Sequence, residues 1–157
     1  QLDWKIRSDD RVKTIERTNL KNCSFDEIYS ENEPVADLLV SDLSFISLTK
    51  VLPNLKQLLS TDFHEMILLI KPQFEAGKDK VEKGGVVRDK NVHQEVIENV
   101  IKCAKELKYT INDLTFSSIK GPSGNIEYLI WLSNHNGAET IFNIKDIVET
   151  AFETLNK

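Results

Sequence analysis

The sequence predicts an α/β domain whose sheet is mostly parallel and ends in an antiparallel hairpin. Three observations carry this. Two short apolar runs, in "ADLLVSDLSF" and "EMILLIK", flank an amphipathic segment; a long stretch after Asp89 repeats apolar residues every three or four positions; and two further strand-like runs are joined by the turn-rich "KGPSGN". At 157 residues the chain fits one domain, since a chain of this length buries roughly 70% of the surface its unfolded form exposes.

Taken in order, "RVKTIERTN" reads as a short strand ending around Arg17 or Thr18, preceded by a polar helix or turn. Leu38 to Val40, bounded by Asp37 and Asp42, fit a strand buried on both faces, and "EMILLIK" repeats the pattern. Between them Leu48, Val51, Leu52, Leu55, Leu58 and Leu59 share one helical face, with Pro53 marking a new first turn or a kink. Strand, helix, strand in that order calls for parallel strands and a right-handed crossover. Asp89 is a good N-cap for a helix that aligns Val92, Val96, Ile97, Val100, Ile101, Ala104 and Leu107. "YTINDLTFSSI" and "IEYLIWLS" are strands close enough to pair antiparallel. A last helix, capped by Asn143, turns Ile144, Ile147, Val148, Ala151, Phe152 and Leu155 inward.

Composition excludes several classes. Hydrophobic residues at 40% and charged residues at 29% are ordinary for a folded domain, and no apolar run approaches the roughly 20 residues of a membrane helix. Cys23 and Cys103 form no CxxC pair, which suits a reducing cytoplasm and gives no zinc or disulfide framework. His64, His93 and His135 lie scattered, without metal-ligand spacing, and read as surface residues. A net charge of -5 argues against a surface that grips nucleic acid everywhere, although Lys78, Lys80, Lys83, Arg88 and Lys90 gather locally among acidic neighbours. The first residue is Gln1 and no signal-peptide pattern follows, so the start reads as a truncated or processed boundary.

Ligands of open α/β sheets bind beyond the carboxyl ends of the parallel strands. Asp42 and Lys71 each directly follow an apolar strand there, so their side chains can converge. Glu127 interrupts an otherwise apolar strand from Ile126 to Leu132, where an unpaired carboxylate is costly to bury, and Lys71 is its expected partner. Each residue has an ordinary alternative: Asp42 as a helix N-cap, Lys71 as a solvated strand end, Glu127 on an exposed edge. Together, a lysine between two carboxylates has the makeup of a positioned proton acceptor. "KGGVVRD" lacks P-loop spacing; its glycines let a loop turn before Asp89, with closure over a substrate as the second reading. "KGPSGN" is first a turn, although Gly121 and Gly124 also allow a ligand near the backbone.

The ordered set "SDLSFISL", "LLIKPQFEAG", "KGGVVRD" and "GPSGNIEYL" resembles the TlyA family of haemolysin-named proteins and ribosomal RNA 2'-O-methyltransferases, whose catalytic domain is FtsJ-like, over about Gln1 to Leu132. The resemblance implies a Rossmann-like methyltransferase sheet and S-adenosylmethionine-dependent methyl transfer to a ribose 2'-hydroxyl of ribosomal RNA. It also implies a Lys-Asp-Lys-Glu tetrad whose last three members map onto Asp42, Lys71 and Glu127. Asp42 would also face the cofactor, and Thr18 and Asn19 sit where related enzymes place an adenine-contacting loop. The family's first tetrad lysine, its glycine-rich cofactor turn and its S4-type RNA-binding domain have no counterpart in this sequence. The resemblance therefore implies that residues 1–157 are the C-terminal portion of the catalytic domain, missing the first strands of its sheet and inactive alone.

Three functions compete at this stage. The first is the RNA 2'-O-methyltransferase, with ribosomal RNA or a ribosomal subunit as partner, no membrane and no metal. The second is a methyltransferase-like fold retained as a binding protein without turnover. The third, membrane lysis, finds no long apolar segment and only helices with the apolar faces of a packed core.

Overall fold

The computed structural model describes residues 2–135, 137 and 140–156; Gln1, Asn136, Ala138, Glu139 and Lys157 lie outside the described residues. Two short helices, α1 (Trp4–Arg7) and α2 (Phe25–Ile28), precede strand β1 (Leu38–Ser41), helix α3 (Leu48–Gln57) and strand β2 (Glu65–Ile70). The one-turn α4 (Pro72–Glu75), the long α5 (Lys90–Glu106), strands β3 (Thr110–Phe116) and β4 (Tyr128–Ser133), and α6 (Ile144–Leu155) complete the order.

The sheet runs β1-β2-β4-β3. β1 pairs parallel with β2, and β4 lies antiparallel to both β2 and β3, so three strands share one direction and β4 alone is reversed. The hairpin partner is thus inserted into the middle of the sheet, which carries Glu127, immediately before β4, to the strand end where Lys71 follows β2: Ile70 pairs with Tyr128.

One face of this sheet is buried and the other is not. Met66, Leu68, Ile70, Ile111, Leu114, Tyr128, Ile130 and Leu132 form the core with Val51, Leu52 and Leu55 of α3 and Val96, Ile97 and Val100 of α5. On the opposite face Leu38, Val40, Ile67 and Trp131 stay exposed. β1 is therefore not buried on both faces as its apolar run suggests; it is an outer strand with no described element over that face. Likewise "RVKTIERTN" forms no strand: residues 11–19 run without ladder hydrogen bonds, because no described strand pairs beside them.

Pro53 bends no new helix into being. α3 continues through it, and the carbonyl that its missing N–H leaves free, that of Thr49, accepts instead from Cys103 Sγ of α5 at 3.8 Å. Asp89 caps α5 through Asn91 N–H, and Asn143 caps α6 through Asp146 N–H.

Two of the scattered histidines are core residues, not surface ones. His64 and His93 are 2% and 0% exposed. Each is buried because both ring nitrogens are satisfied: His64 Nδ1 donates to Ser60 O (2.5 Å) and Nε2 accepts from Tyr109 OH (2.6 Å); His93 Nε2 donates to Val87 O (2.9 Å) and Nδ1 accepts from Tyr128 OH (2.8 Å). Among the described residues no helix is long and apolar enough to cross a membrane.

Candidate active site

Lys71 occupies the point where β2 becomes α4. Its backbone is extended (φ -112°, ψ 101°), Pro72 follows at the first helical position, and the turn needs no N–H from it. The chain therefore stops abruptly at the strand end and leaves the lysine, only 8% exposed, aimed from a rigid element. Its Nζ lies 2.5 Å from Asp42 Oδ1 and 3.4 Å from Ser44 Oγ, both on the segment just after β1. The parallel β1–β2 pairing puts these two strand ends side by side, so Asp42 and Lys71 meet although far apart in sequence.

Glu127 is 6% exposed and sits at the same end of the sheet, but Lys71 is not its partner. Among the described residues no cationic nitrogen lies within 4.0 Å of it. Gln73 Nε2, in the first turn of α4, donates to Glu127 Oε1 at 3.1 Å instead. The expected Lys71–Glu127 ion pair is replaced because Lys71 is taken by Asp42 while α4 swings the Gln73 amide toward β4. On the other side, the "KGPSGN" loop brings the Cα of Gly121 so near that a Cβ there would lie 2.6 Å from Glu127 Oε1.

Two buried networks hold these pieces together. Glu75, the last residue of α4, accepts from Ser47 Oγ (2.6 Å) and Leu48 N–H (2.7 Å), capping α3 from outside its own sequence. Burial pushes the Glu75 carboxyl above its usual range, against the opposing pull of those two donors. Asn125, 1% exposed, donates from Nδ2 to Gly85 O (2.8 Å) and accepts at Oδ1 from Val87 N–H (3.0 Å), which binds "KGGVVRD" to "GPSGN". His93 and Tyr128 extend that link into the core; burial holds the His93 imidazole below its ordinary pKa and raises the Tyr128 phenol well above its own.

Thr18 and Asn19 are not joined to this cluster. Thr18 Oγ1 donates to Glu16 O (3.3 Å) and Asn19 Oδ1 accepts from Lys21 N–H (3.0 Å); no hydrogen bond connects either to Asp42, Lys71 or Glu127 among the described residues. The following turn is fixed on α3, where Asn54 Nδ2 donates to Leu20 O (2.7 Å) and Cys23 O (2.8 Å).

Several features of the site are absent from the sequence reading. Phe45, 90% exposed and at φ +65°, packs against Phe74 with ring centroids 4.9 Å apart and the rings tilted by 47°, so that the segment after Asp42 touches the one after Lys71. A bulky residue held at positive φ is a strained conformation, costing on the order of 1–3 kcal/mol. The hydroxyl of Ser41, directly before Asp42, is buried without a partner. A cavity of about 340 Å³ opens beside the Glu127 loop, with Arg88, Lys120 and Ser123 around it and Ile126 and Phe152 within. Arg88 pairs with Glu82 at 2.5 Å, and Lys120 donates to Asn156 Oδ1 at 2.7 Å.

Comparison with known proteins places the chain in a family. The family model of FtsJ-like methyltransferases matches residues 1–134. The chain is 42% identical over 132 residues to the 16S/23S rRNA (cytidine-2'-O)-methyltransferase TlyA of Mycobacterium tuberculosis, covering 84% of this chain and 47% of that protein. It is 41% identical over 130 residues to Hemolysin A of Brachyspira hyodysenteriae, covering 82% and 52% respectively. The crystal structure of a hemolysin candidate from Lactococcus lactis superposes with a TM-score of 0.85 at 41% identity, covering 96% of this chain and 71% of that one. The chain thus spans about half the length of these curated relatives.

Proposed function

The chain belongs to the FtsJ-like methyltransferase family, and from that membership we propose that it forms the catalytic part of an S-adenosylmethionine-dependent 2'-O-methyltransferase acting on ribosomal RNA. The observation that carries this reading is the meeting of Asp42 and Lys71 at 2.5 Å, at the carboxyl ends of two parallel strands, with buried Glu127 at the same end.

The residues present fit the cofactor. Asp42 offers an exposed carboxylate at the strand end where such ligands sit, and the unpartnered, buried Ser41 hydroxyl adjoins it. Asp42 would hold the cofactor, which supplies when bound an electrophilic methyl group on sulfur. Transfer to the ribose 2'-oxygen would release the cofactor as its neutral thioether and the hydroxyl proton to solvent, so that the part of this chain's residues is to hold the hydroxyl in line. Lys71 would hydrogen-bond that hydroxyl and direct its proton past the exposed Asp42 carboxylate to solvent, with Asp42 and Ser44 fixing the Nζ. Glu127 accepts a hydrogen bond from the substrate. Holding the two reactants in line is the largest gain such a site can offer, since the chemistry asks little else of the protein.

An acidic chain meets RNA only through local cations. Arg88 and Lys120, which line the cavity beside the Glu127 loop, would turn from Glu82 and Asn156 to meet phosphates of the RNA strand.

The test is transfer of labelled methyl from S-adenosylmethionine to ribosomal RNA by the intact protein, wild type and Lys71→Ala. Wild-type activity lost in the variant is expected. Equal activity in both removes Lys71 from the mechanism, and an inactive wild type that still binds RNA supports a binding role without turnover.

A further inference from the structure

Glu127 is held on one oxygen and open on the other. Oε1 accepts from Gln73 Nε2 at 3.1 Å and is closed on its far side by Gly121, where no Cβ fits. Among the described residues Oε2 has no hydrogen-bond partner, and it is not among the fully enclosed, unpartnered atoms, so it keeps an opening to solvent. A carboxylate only accepts, so the Gln73 amide must turn its NH₂ to Glu127. That orientation leaves Gln73 Oε1 buried with no partner. A glutamine serving stability alone would satisfy both ends of its amide; this one satisfies only the end that faces Glu127.

We propose that Gln73 is a positioning residue for methyl transfer, holding Glu127 through Oε1 so that Oε2 is presented to a donor group of the RNA nucleotide being modified. This assignment rests on the methyltransferase reading above. Gln73 stands two residues after Lys71, so the same strand-to-helix turn that aims the amine also places the carboxylate. One short segment then sets both polar groups of the substrate site. The arrangement also explains why a buried carboxylate tolerates having no cation beside it: its charge is met by an amide donor that does not compete with Asp42 for Lys71.

The experiment is a double-mutant cycle in the intact protein, with S-adenosylmethionine and ribosomal RNA, comparing wild type, Gln73→Leu, Glu127→Gln and the double variant. Gln73→Leu is expected to lower kcat on the order of 10- to 100-fold with KM unchanged, and to add nothing once Glu127 is already Gln. Wild-type kcat in Gln73→Leu, or losses that multiply in the double variant, overturns the assignment. Should the leucine variant fail to melt cooperatively, Gln73→Met, which keeps the length of the side chain and removes the donor without adding a charge, carries the same cycle with the same expected pattern. An inactive wild type overturns the enzymatic reading and this assignment together; an active wild type with an unaffected Gln73→Leu overturns this assignment alone.

Discussion

Lys71 Nζ and Asp42 Oδ1 lie 2.5 Å apart, yet the two side chains differ sharply in setting: 10% of the lysine side chain is exposed and 71% of the aspartate. An ion pair with one arm in water adds little to stability, under about 1 kcal/mol, but it fixes where the amine points. Asp42→Asn is therefore expected to leave the melting temperature near wild type while lowering methyl transfer on the order of 100-fold. Thermal melts and single-turnover rates on the same preparations check this, and a variant that loses stability but keeps its rate contradicts it.

Glu75 separates from Asp42 and Lys71 by the same pair of measurements. It belongs to the "KPQFEAG" segment but spends both oxygens on the N-terminus of α3. Glu75→Gln keeps one acceptor and turns an NH₂ toward the other donor, so a loss of about 1–2 kcal/mol is expected. For a domain of this size that is roughly 2–4 °C in Tm per kcal/mol. Urea denaturation reads it directly; an unchanged midpoint would show that the cap carries no weight.

Gly121 and Gly124 lie three residues apart in one loop and answer to different physics. A Cβ on Gly121 meets Glu127 Oε1 at 2.6 Å, whereas Gly124 sits at φ +89° with open space around it. Gly121→Ala should shift the carboxylate and lower kcat on the order of 10- to 100-fold with a small change in Tm. Gly124→Ala should lower stability by about 1 kcal/mol or more through its backbone. Exchange of the two outcomes would mean that Glu127 moves aside freely.

What could be read in the sequence follows from what periodicity encodes. Asp42, Lys71 and Glu127 stood out because each is a charge at the end of, or inside, an apolar run, and burial makes that visible one strand at a time. The helices from Asp89 and Asn143 were legible for the same reason, their caps and apolar faces being local. Gln73 and Asn125 were not, because each works by bridging segments whose approach no spacing records. His64 and His93 were misplaced on the surface since their burial depends on partners 45 and 35 residues away. The strand expected in "RVKTIERTN" and the burial of β1 on both faces failed in the opposite sense: such patterning predicts neighbours, and among the described residues no strand pairs with residues 11–19 and nothing covers the outer face of β1, although β1 itself is a strand beside β2.

His93 makes stability depend on pH with a definite sign. Burial holds its imidazole below the ordinary value of 6.5, while the bond to Val87 and the charge of Asp89 pull the other way. Phe152 packs edge-on at 4.9 Å, Tyr128 OH donates to Nδ1, and Lys90 Nζ lies over the Phe152 ring at 5.5 Å from its centroid. With the folded pKa depressed, the unfolded chain binds the proton first, so the contribution is complete above about pH 6.5 and declines as pH falls toward the folded value. Glu75 slopes the other way: its raised pKa favours the folded state below the ordinary 4.5 and gives that advantage up as pH rises through the folded value. Comparing wild type with His93→Gln cancels the Glu75 term. Between pH 6.5 and 5 the wild type should lose stability more steeply, by at most about 1.4 kcal/mol per pH unit for one proton. Denaturant midpoints across that range measure the difference, and parallel curves for the two proteins would show that the imidazole takes up its proton without leaving the fold.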